Sequence, residues 1–315
     1  MKLLIMIPAY NEEKTIGKVI EEIPRKIEGI DSVEVLVIDD GSTDRTAEFA
    51  KKAGADYILI HKKNLGLART FKDGLDFSLA LKADIIVNID ADAQYNAREI
   101  PKLIKPILNG EADMVLGDRC IEKLDHMPKS KKIGNKIASW VTRKLSGLPI
   151  RDAQTGFRAF SREAALKLNI LGEYTYTQET IIQAAKKGLK IVEIPVEFRR
   201  REGKSRLISS IWKYAKNAGI TMLRTYRDYH PFKVFVTIGA LIFIAGALVA
   251  LRVLLHYFAT GAVTPHLPSA VLSVMLIIIG SLTIIFGLLA DMLRTHRELI
   301  EDALVRIKRL EGKNK

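Results

Sequence analysis

Ile85-Ile86-Val87-Asn88-Ile89-Asp90-Ala91-Asp92-Ala93-Gln94 is the stretch whose reading decides the fold. Ile85 to Ile89 is a short, mostly β-branched apolar run, the pattern of a parallel strand covered on both faces. Two acids follow it with one small residue between them. In extended chain, residues two apart point the same way, so Asp90 and Asp92 are expected to face one site. Gln94 continues that spacing and adds an amide oxygen. Hard oxygen donors at the carboxyl end of a parallel strand suit Mg²⁺ or Mn²⁺ shared with substrate phosphates. The competing reading has Asp92 capping a helix that begins near Asn96.

Outward from this stretch the same grammar repeats. Lys2–Ile7 reads as a strand broken by Pro8-Ala9-Tyr10-Asn11. Glu12–Ile23 then carries Ile16, Val19, Ile20 and Ile23 at helical spacing. Val33–Ile38 is a second strand and Thr43–Ala53 a helix stopped by Gly54. Tyr57–Ile60 is a third strand, and Asn64-Leu65-Gly66 opens the next helix. Beyond the acids come a helix to about Leu108 and a strand Met114–Leu116. Strands alternating with helices imply right-handed βαβ units and an open, mostly parallel sheet. Ligands in such sheets bind outside the carboxyl ends of the strands. Pro8–Glu12, Asp39–Ser42, Asp90–Gln94 and Gly117–Arg119 all fall at those ends. The first two suggest a nucleoside pocket: Tyr10 to stack on a base, carboxylates to accept from base or ribose, and glycine for close backbone approach. Neither G-x-G-x-x-G nor a P-loop lysine motif occurs, which argues against a dinucleotide site and an NTPase.

The chain has 315 residues, a formal net charge of +13 and one cysteine. Its length allows one or two domains. Cys120 alone forms no internal disulfide. The basic excess calls for an anionic partner. Nucleic acid is not expected, because the basic residues do not alternate with aromatics on a candidate surface. Membrane lipid is expected, because Phe232–Phe258 and Leu267–Leu289 each approach the roughly 20 apolar residues that cross a bilayer. Lys233, Arg224 and Arg227 flank one run and Arg294 and Arg297 the other, while the Tyr257–His266 linker holds neither Lys nor Arg. Both outer flanks are therefore expected on the cytoplasmic side. No signal peptide is read at the N-terminus. Ser205–His230 reads as amphipathic helices on the cytoplasmic leaflet. Met292–Leu310 reads as a further amphipathic helix, a candidate homo-oligomer contact. The expected organisation is thus a catalytic domain over 1–204, interface helices over 205–231, a transmembrane hairpin over 232–290 and a cytoplasmic helix over 291–315.

Pro8-Ala9-Tyr10-Asn11-Glu12, Asp39-Asp40-Gly41-Ser42-Thr43-Asp44, Asn64-Leu65-Gly66 and Asp90-Ala91-Asp92-Ala93-Gln94, in this order, resemble a family 2 inverting glycosyltransferase with a GT-A fold. The similarity is to its polyprenyl-phosphate branch, the dolichyl-phosphate mannose and glucose synthases, and covers about residues 1–230. The resemblance implies that Pro8, Ala9, Tyr10, Glu12, Asp39, Asp40, Asn64 and Gly66 hold the nucleotide of a sugar donor. It implies that Asp92 and Gln94 hold the cation and that Asp90 faces the donor sugar. Arg201-Glu202-Gly203-Lys204-Ser205-Arg206 matches the family's R-x-G-x-S-[KR] pattern. Arg119, Lys131, Arg201, Ser205 and Arg206 would then clasp the phosphate of a lipid acceptor. Position 131 is lysine where the resemblance calls for arginine, and the two are not equivalent at a bidentate site.

Asp152-Ala153-Gln154-Thr155-Gly156-Phe157-Arg158 and Gln178-Glu179 complete the motif set. A hydroxyl acceptor needs a general base, for which Asp152 or Glu179 is the candidate. A lipid phosphate needs none, because its oxygens are already anionic near neutral pH. Glu179 then serves to orient Arg or Lys, or is simply a first-turn helix acid favoured by the dipole. The overall expectation is transfer of a hexose from a nucleotide sugar to dolichyl or polyprenyl phosphate. Its rivals are extension of a glycan on a hydroxyl and a catalytically silent nucleotide-sugar-binding membrane protein.

Overall fold

The computed structural model describes residues 1–124, 127–170, 176–200 and 231–314. Contacts divide the chain into two units. The first is built on a seven-stranded sheet. Its strands are β1 (Lys2–Ala9), β2 (Ser32–Asp39), β3 (Tyr57–Ile60), β4 (Ile85–Asn88), β5 (Met114–Asp118), β6 (Arg158–Ser161) and β7 (Ile191–Pro195), in the order β3-β2-β1-β4-β6-β5-β7. All neighbours run parallel except β6, which is antiparallel to both β4 and β5. Helices α1 (Ile16–Glu21), α2 (Thr46–Lys52), α3 (Leu67–Ala80), α4 (Ile100–Leu108), α5 (Lys129–Ser146), α6 (Arg162–Lys167) and α7 (Thr177–Lys186) complete this unit.

The period-two geometry of β1 sorts the core into two layers. Leu3, Ile5 and Ile7 join a cluster with Ile16, Val19 and Ile20 of α1 and Ile100, Leu103 and Ile104 of α4. Leu4 and Met6 point the other way, to Phe71 and Leu75 of α3 and Ile181 of α7. A strand apolar on both faces lies between two helical layers, so the continuous runs in β1 and β4 are explained by burial on both sides.

Several expectations needed correction. The helices expected over Glu12–Ile23 and Thr43–Ala53 are shorter, because their leading residues are engaged in the loop at the sheet edge: the Glu12 N–H donates to Thr46 Oγ1 at 2.9 Å. The acids do not extend β4. The strand ends at Asn88, and Asp90–Ala93 form a turn with Ala93 at φ +57°. The two-residue alternation therefore does not place Asp90 and Asp92. Strands β6 and β7 had no counterpart in the sequence reading.

The second unit, which ends at Ala303, is helical over its described residues. Helix α8 (Pro231–Thr260) and helix α9 (Leu267–Asn314) carry apolar segments of 30 and 27 residues, long and apolar enough to cross a membrane. They meet through glycines seven apart on each helix, Gly239 and Gly246 against Gly280 and Gly287. A Cβ on Gly280 would lie 2.6 Å from the Phe243 nitrogen, and one on Gly239 would lie 2.8 Å from the Gly280 carbonyl oxygen. Backbone-to-backbone approach of this kind is how membrane helices gain packing contact without a hydrophobic drive. The amphipathic segment expected over Met292–Leu310 is a continuation of α9 rather than a separate helix.

Candidate active site

The residues expected to hold a nucleotide meet where β1 and β2 run out, with Ala9 paired to Asp39. Asn11, at φ +55°, donates its N–H to Ser42 Oγ at 2.9 Å, and its Oδ1 accepts the Thr43 N–H at 2.8 Å. Asp39 Oδ1 accepts the Ser42 N–H at 2.8 Å. Asp40 is turned to the neighbouring loop instead. Its Oδ1 accepts from Leu65 N–H at 2.8 Å and its Oδ2 from Gly66 N–H at 2.9 Å, while His61 Nδ1 lies 2.8 Å from Oδ1. Gly41, at φ +71°, lies so close to this loop that a Cβ would come within 2.8 Å of the Asn64 nitrogen. Pro8, Ala9, Tyr10, Glu12, Asp39, Asn64 and Gly66 are thus gathered at one edge, and Tyr10 and Asn64 are exposed there. Asp40 reaches that edge only through the backbone it holds.

The acid turn lies one strand over. Asp90, Asp92 and Gln94 are each partly buried, and Asp92 Oδ1 accepts the Gln94 N–H at 3.2 Å. Asn96, not Asp92, caps the helical turn that follows, accepting from the Arg98 N–H at 3.1 Å. The capping alternative for Asp92 therefore fails. Gln94 Nε2 donates to the Arg199 carbonyl at 3.3 Å, which leaves the amide oxygen as the acceptor end of the side chain. An ionised carboxylate and an amide oxygen in one turn are a donor set that fits a hard divalent cation.

Asp90 is positioned from below. Its carboxylate rests on the Cα of Gly156, so closely that a methyl there would overlap both oxygens. The Gly156 peptide is itself pinned from two sides: its N–H donates to Tyr95 Oη at 2.9 Å and its carbonyl accepts from Asn88 Nδ2 at 2.7 Å. Burial, with a smaller contribution from the Asp90 charge, pushes the Tyr95 hydroxyl up to about 12, so it remains a neutral hydrogen-bonding group at any ordinary pH. Arg158, fully buried, ties the same block to α7. It donates to the carbonyls of Ala153, Thr155 and Thr177 at 3.0, 2.8 and 2.7 Å and to Thr180 Oγ1 at 2.7 Å, and its guanidinium lies over the Tyr176 ring. Burial lowers its pKa to about 10, still charged at neutral pH. The antiparallel course of β6 makes this possible, because its first residue, Arg158, pairs with Asn88 at the end of β4.

Arg119 and Asp152, 33 residues apart, form a largely buried ion pair. Arg119 Nε donates to Asp152 Oδ2 at 2.6 Å and Nη2 to Oδ1 at 2.8 Å, a two-pronged pair. Asn135 Oδ1 from α5 accepts from Nη2 at 3.4 Å, and the guanidinium stacks over Phe198. Burial pushes the Asp152 carboxyl upward, but the charge and hydrogen bonds of Arg119 outweigh it and hold it below the usual aspartate value. Burial likewise works against the Arg119 charge, but the Asp152 and Asp90 carboxylates and the Asp152 hydrogen bonds favour it, and its pKa is raised. A carboxylate so held is a weak base.

Glu179 sits in the first turn of α7, nearly buried, with Oε1 accepting from Gln183 Nε2 at 3.1 Å. Lys131 is exposed in the first turn of α5, four residues before Asn135 and so on the same helix face. Arg201, Ser205 and Arg206 lie outside the described residues, as do the interface helices expected over 205–231 except its last residue. Arg199 pairs with Glu22 at 2.9 Å. The sequence reading missed Asn88, Tyr95, Tyr176 and Phe198. The apolar context of Asn88, inside a strand, was the one available signal.

The glycosyl transferase family 2 pattern matches residues 4–168. Over 314 residues, 98% of this chain and 97% of the relative, the sequence is 30% identical to a glycosyltransferase of Haloferax volcanii named AglJ. It is 32% identical over 234 residues to a dolichol-phosphate mannosyltransferase of Pyrococcus furiosus, covering 69% of this chain and 62% of that one. The fold is shared with glucosyl-3-phosphoglycerate synthase of Mycobacterium tuberculosis, solved with Mn²⁺, UDP and phosphoglyceric acid. Its TM-score is 0.58 at 22% identity, over 71% of this chain and 78% of that one. With the family pattern spanning more than half of the chain, a relative matched almost end to end and a mostly parallel GT-A-like sheet in place, the chain belongs to glycosyl transferase family 2 and is a glycosyltransferase.

Proposed function

We propose that this glycosyltransferase is membrane-bound and moves one hexose, with inversion, from a nucleotide sugar to the phosphate of a dolichyl or other polyprenyl phosphate. The observation that carries the reading is the Arg119–Asp152 pair. Both oxygens of Asp152 are bonded to Arg119 and its pKa is depressed, so it is a poor base for a hydroxyl acceptor. An acceptor that is already an anion needs no base. Relatives named for the same chemistry support the choice. One is a UDP-N-acetylglucosamine–dolichyl-phosphate N-acetylglucosaminyltransferase of Methanococcus voltae, 32% identical over 62% of this chain and 84% of that one.

In this reading Tyr10, Asp39 and the loop held by Asp40 bind the nucleoside, and a UDP-sugar is the favoured donor. Asp92 and Gln94 hold Mg²⁺ or Mn²⁺, whose charge when bound offsets that of the donor diphosphate. Among the described residues no three His, Cys, Asp or Glu form a self-contained cage, so phosphate oxygens and water complete its shell. Asp90, fixed over Gly156, orients the sugar. Arg119, with Lys131 and Arg201, orients the lipid phosphate. A phosphate oxygen attacks the anomeric carbon on the face opposite the diphosphate. The new carbon–oxygen bond forms as the old one breaks, the bonding pair leaves with the diphosphate, and no proton moves. Helices α8 and α9 anchor the protein, with the catalytic unit and both termini on the cytoplasmic side, as the Lys and Arg flanks direct.

The test is incubation of the protein in lipid with a panel of labelled UDP- and GDP-sugars and dolichyl phosphate. Formation of an acid-labile glycolipid from at least one donor is expected. Donor hydrolysis without glycolipid, across the panel, would remove the acceptor assignment.

A further inference from the structure

Helix α5 is amphipathic in the reverse sense. Its inward face is polar: Asn135, Ser139 and Thr142 are buried, Asn135 reaches Arg119, and Ser139 Oγ accepts the Ala153 N–H at 3.0 Å. Its outward face is apolar: Ile133, Ile137 and Trp140 are 60%, 58% and 53% exposed. At about 100° per residue these three fall in one narrow stripe, half a turn from Asn135 and Thr142. Lys132, Lys136 and Arg143 line one flank of the stripe, with Lys136 also 3.7 Å from Glu122, and exposed Lys144 ends the stripe itself. The 18 residues of the helix include six Lys or Arg and no acid. Single exposed apolar residues are ordinary, but a contiguous set with a basic border marks a docking surface.

Charge and composition select the occupant. A basic helix with an apolar stripe and a tryptophan suits the headgroup–acyl boundary of an anionic bilayer. The chain's own two membrane-length helices, α8 and α9, would keep such a surface at high local concentration. We propose that α5 docks on an anionic phospholipid surface through Ile133, Ile137 and Trp140. The opposite face of the same helix then supports the Arg119–Asp152 pair at the lipid boundary, where a lipid-borne phosphate would arrive. The proposal rests on the membrane-bound reading above.

The sequence holds two tryptophans, so Trp212→Phe in the full chain leaves Trp140 as the single reporter. The protein is reconstituted in phosphatidylglycerol vesicles, with and without acyl-brominated lipid. On the order of a two-fold loss of Trp140 emission to brominated lipid is expected, for a side chain seated about 5–10 Å deep. Aqueous acrylamide should quench weakly. The loss should shrink in phosphatidylcholine and with Lys132→Glu/Lys136→Glu. Strong acrylamide quenching would place the stripe in water and overturn the proposal. Protection from both quenchers would mean that protein covers it, a second copy or residues 201–230, and would overturn it too. Flotation with the vesicles reports the anchor separately. A chain that floats with Trp140 in water sinks the docking helix alone, whereas one that does not float sinks the membrane reading as well.

Discussion

Asp40 and Asp92 both stand just past the carboxyl end of a parallel strand, yet they do different work. Asp40 is 4% exposed, and its two oxygens accept backbone N–H groups from the 61–66 loop. Asp92 is partly exposed in its turn, where Oδ1 accepts the Gln94 N–H at 3.2 Å. Residue type and sheet position are alike; what differs is burial, and the 61–66 loop that wraps Asp40. An acid buried against loop N–H groups shapes a pocket, and an acid left partly exposed at the sheet edge can meet a ligand. Arg119 and Asp152 add a third use, in which acid and cation satisfy each other in a dry setting and the pair is presented as a unit.

Substitutions can break or sharpen this comparison. Asp92→Ala should have the largest effect. Transfer falls by about 10³-fold or more, since several kcal/mol of charge stabilisation at the diphosphate depend on it. The melting temperature should shift by no more than about 2 °C, and Mn²⁺ binding followed by electron paramagnetic resonance should be lost. Undiminished Mn²⁺ binding would put Asp92 in the same class as Asp40. Arg119→Ala comes next. It leaves the Asp152 carboxylate buried and unmatched, at a cost of about 3–5 kcal/mol in thermal or denaturant unfolding. Arg119→Met with Asp152→Leu should restore most of that stability but not transfer. A double variant with normal transfer would make the pair purely structural.

Asp40→Ala should cost less, about 1–3 kcal/mol, because the Leu65 and Gly66 N–H groups lose their acceptor. Its signature is faster proteolysis near Lys62 and Lys63 and a raised donor KM, with kcat close to normal. A fall in kcat alone would mean that Asp40 touches the reacting groups. The smallest effect is the pH dependence of the pair. The folded Asp152 pKa is depressed, so its stabilising contribution is present above about pH 4, the ordinary aspartate value, and is lost as pH falls through the folded value. The Met/Leu double variant should accordingly unfold in acid with a shallower slope than the parent.

The strand and helix order could be read from the sequence because burial on two faces writes continuous apolar runs and loops write polar clusters. Five of the expected strands, Lys2–Ile7, Val33–Ile38, Tyr57–Ile60, Ile85–Ile89 and Met114–Leu116, lie within a residue or two of those found. Strand β6 could not be read: Arg158-Ala159-Phe160-Ser161 lacks the β-branched apolar run of β3 and β4, and its direction is set by neighbours far along the chain. The same limit hid the site's inner logic. That Asp152 belongs to Arg119, that Gly156 makes room for Asp90, and that Arg158 fastens both to α7 are tertiary facts with no local period. The acid turn shows the converse error. Its residues were recognisable, but their geometry was not, because Ala93 takes a left-handed conformation that the spacing does not announce.

The central claim is that the acceptor brings its own negative charge and needs no protein base. It is tested most directly by offering the protein, in lipid with Mn²⁺ and the preferred donor, either a polyprenyl phosphate or the matching polyprenol. The account predicts glycolipid from the phosphate at all pH values between about 6 and 8, a range above the ordinary carboxylate titrations, and none from the alcohol. Comparable transfer to the alcohol, rising with pH as a base loses its proton, would contradict it.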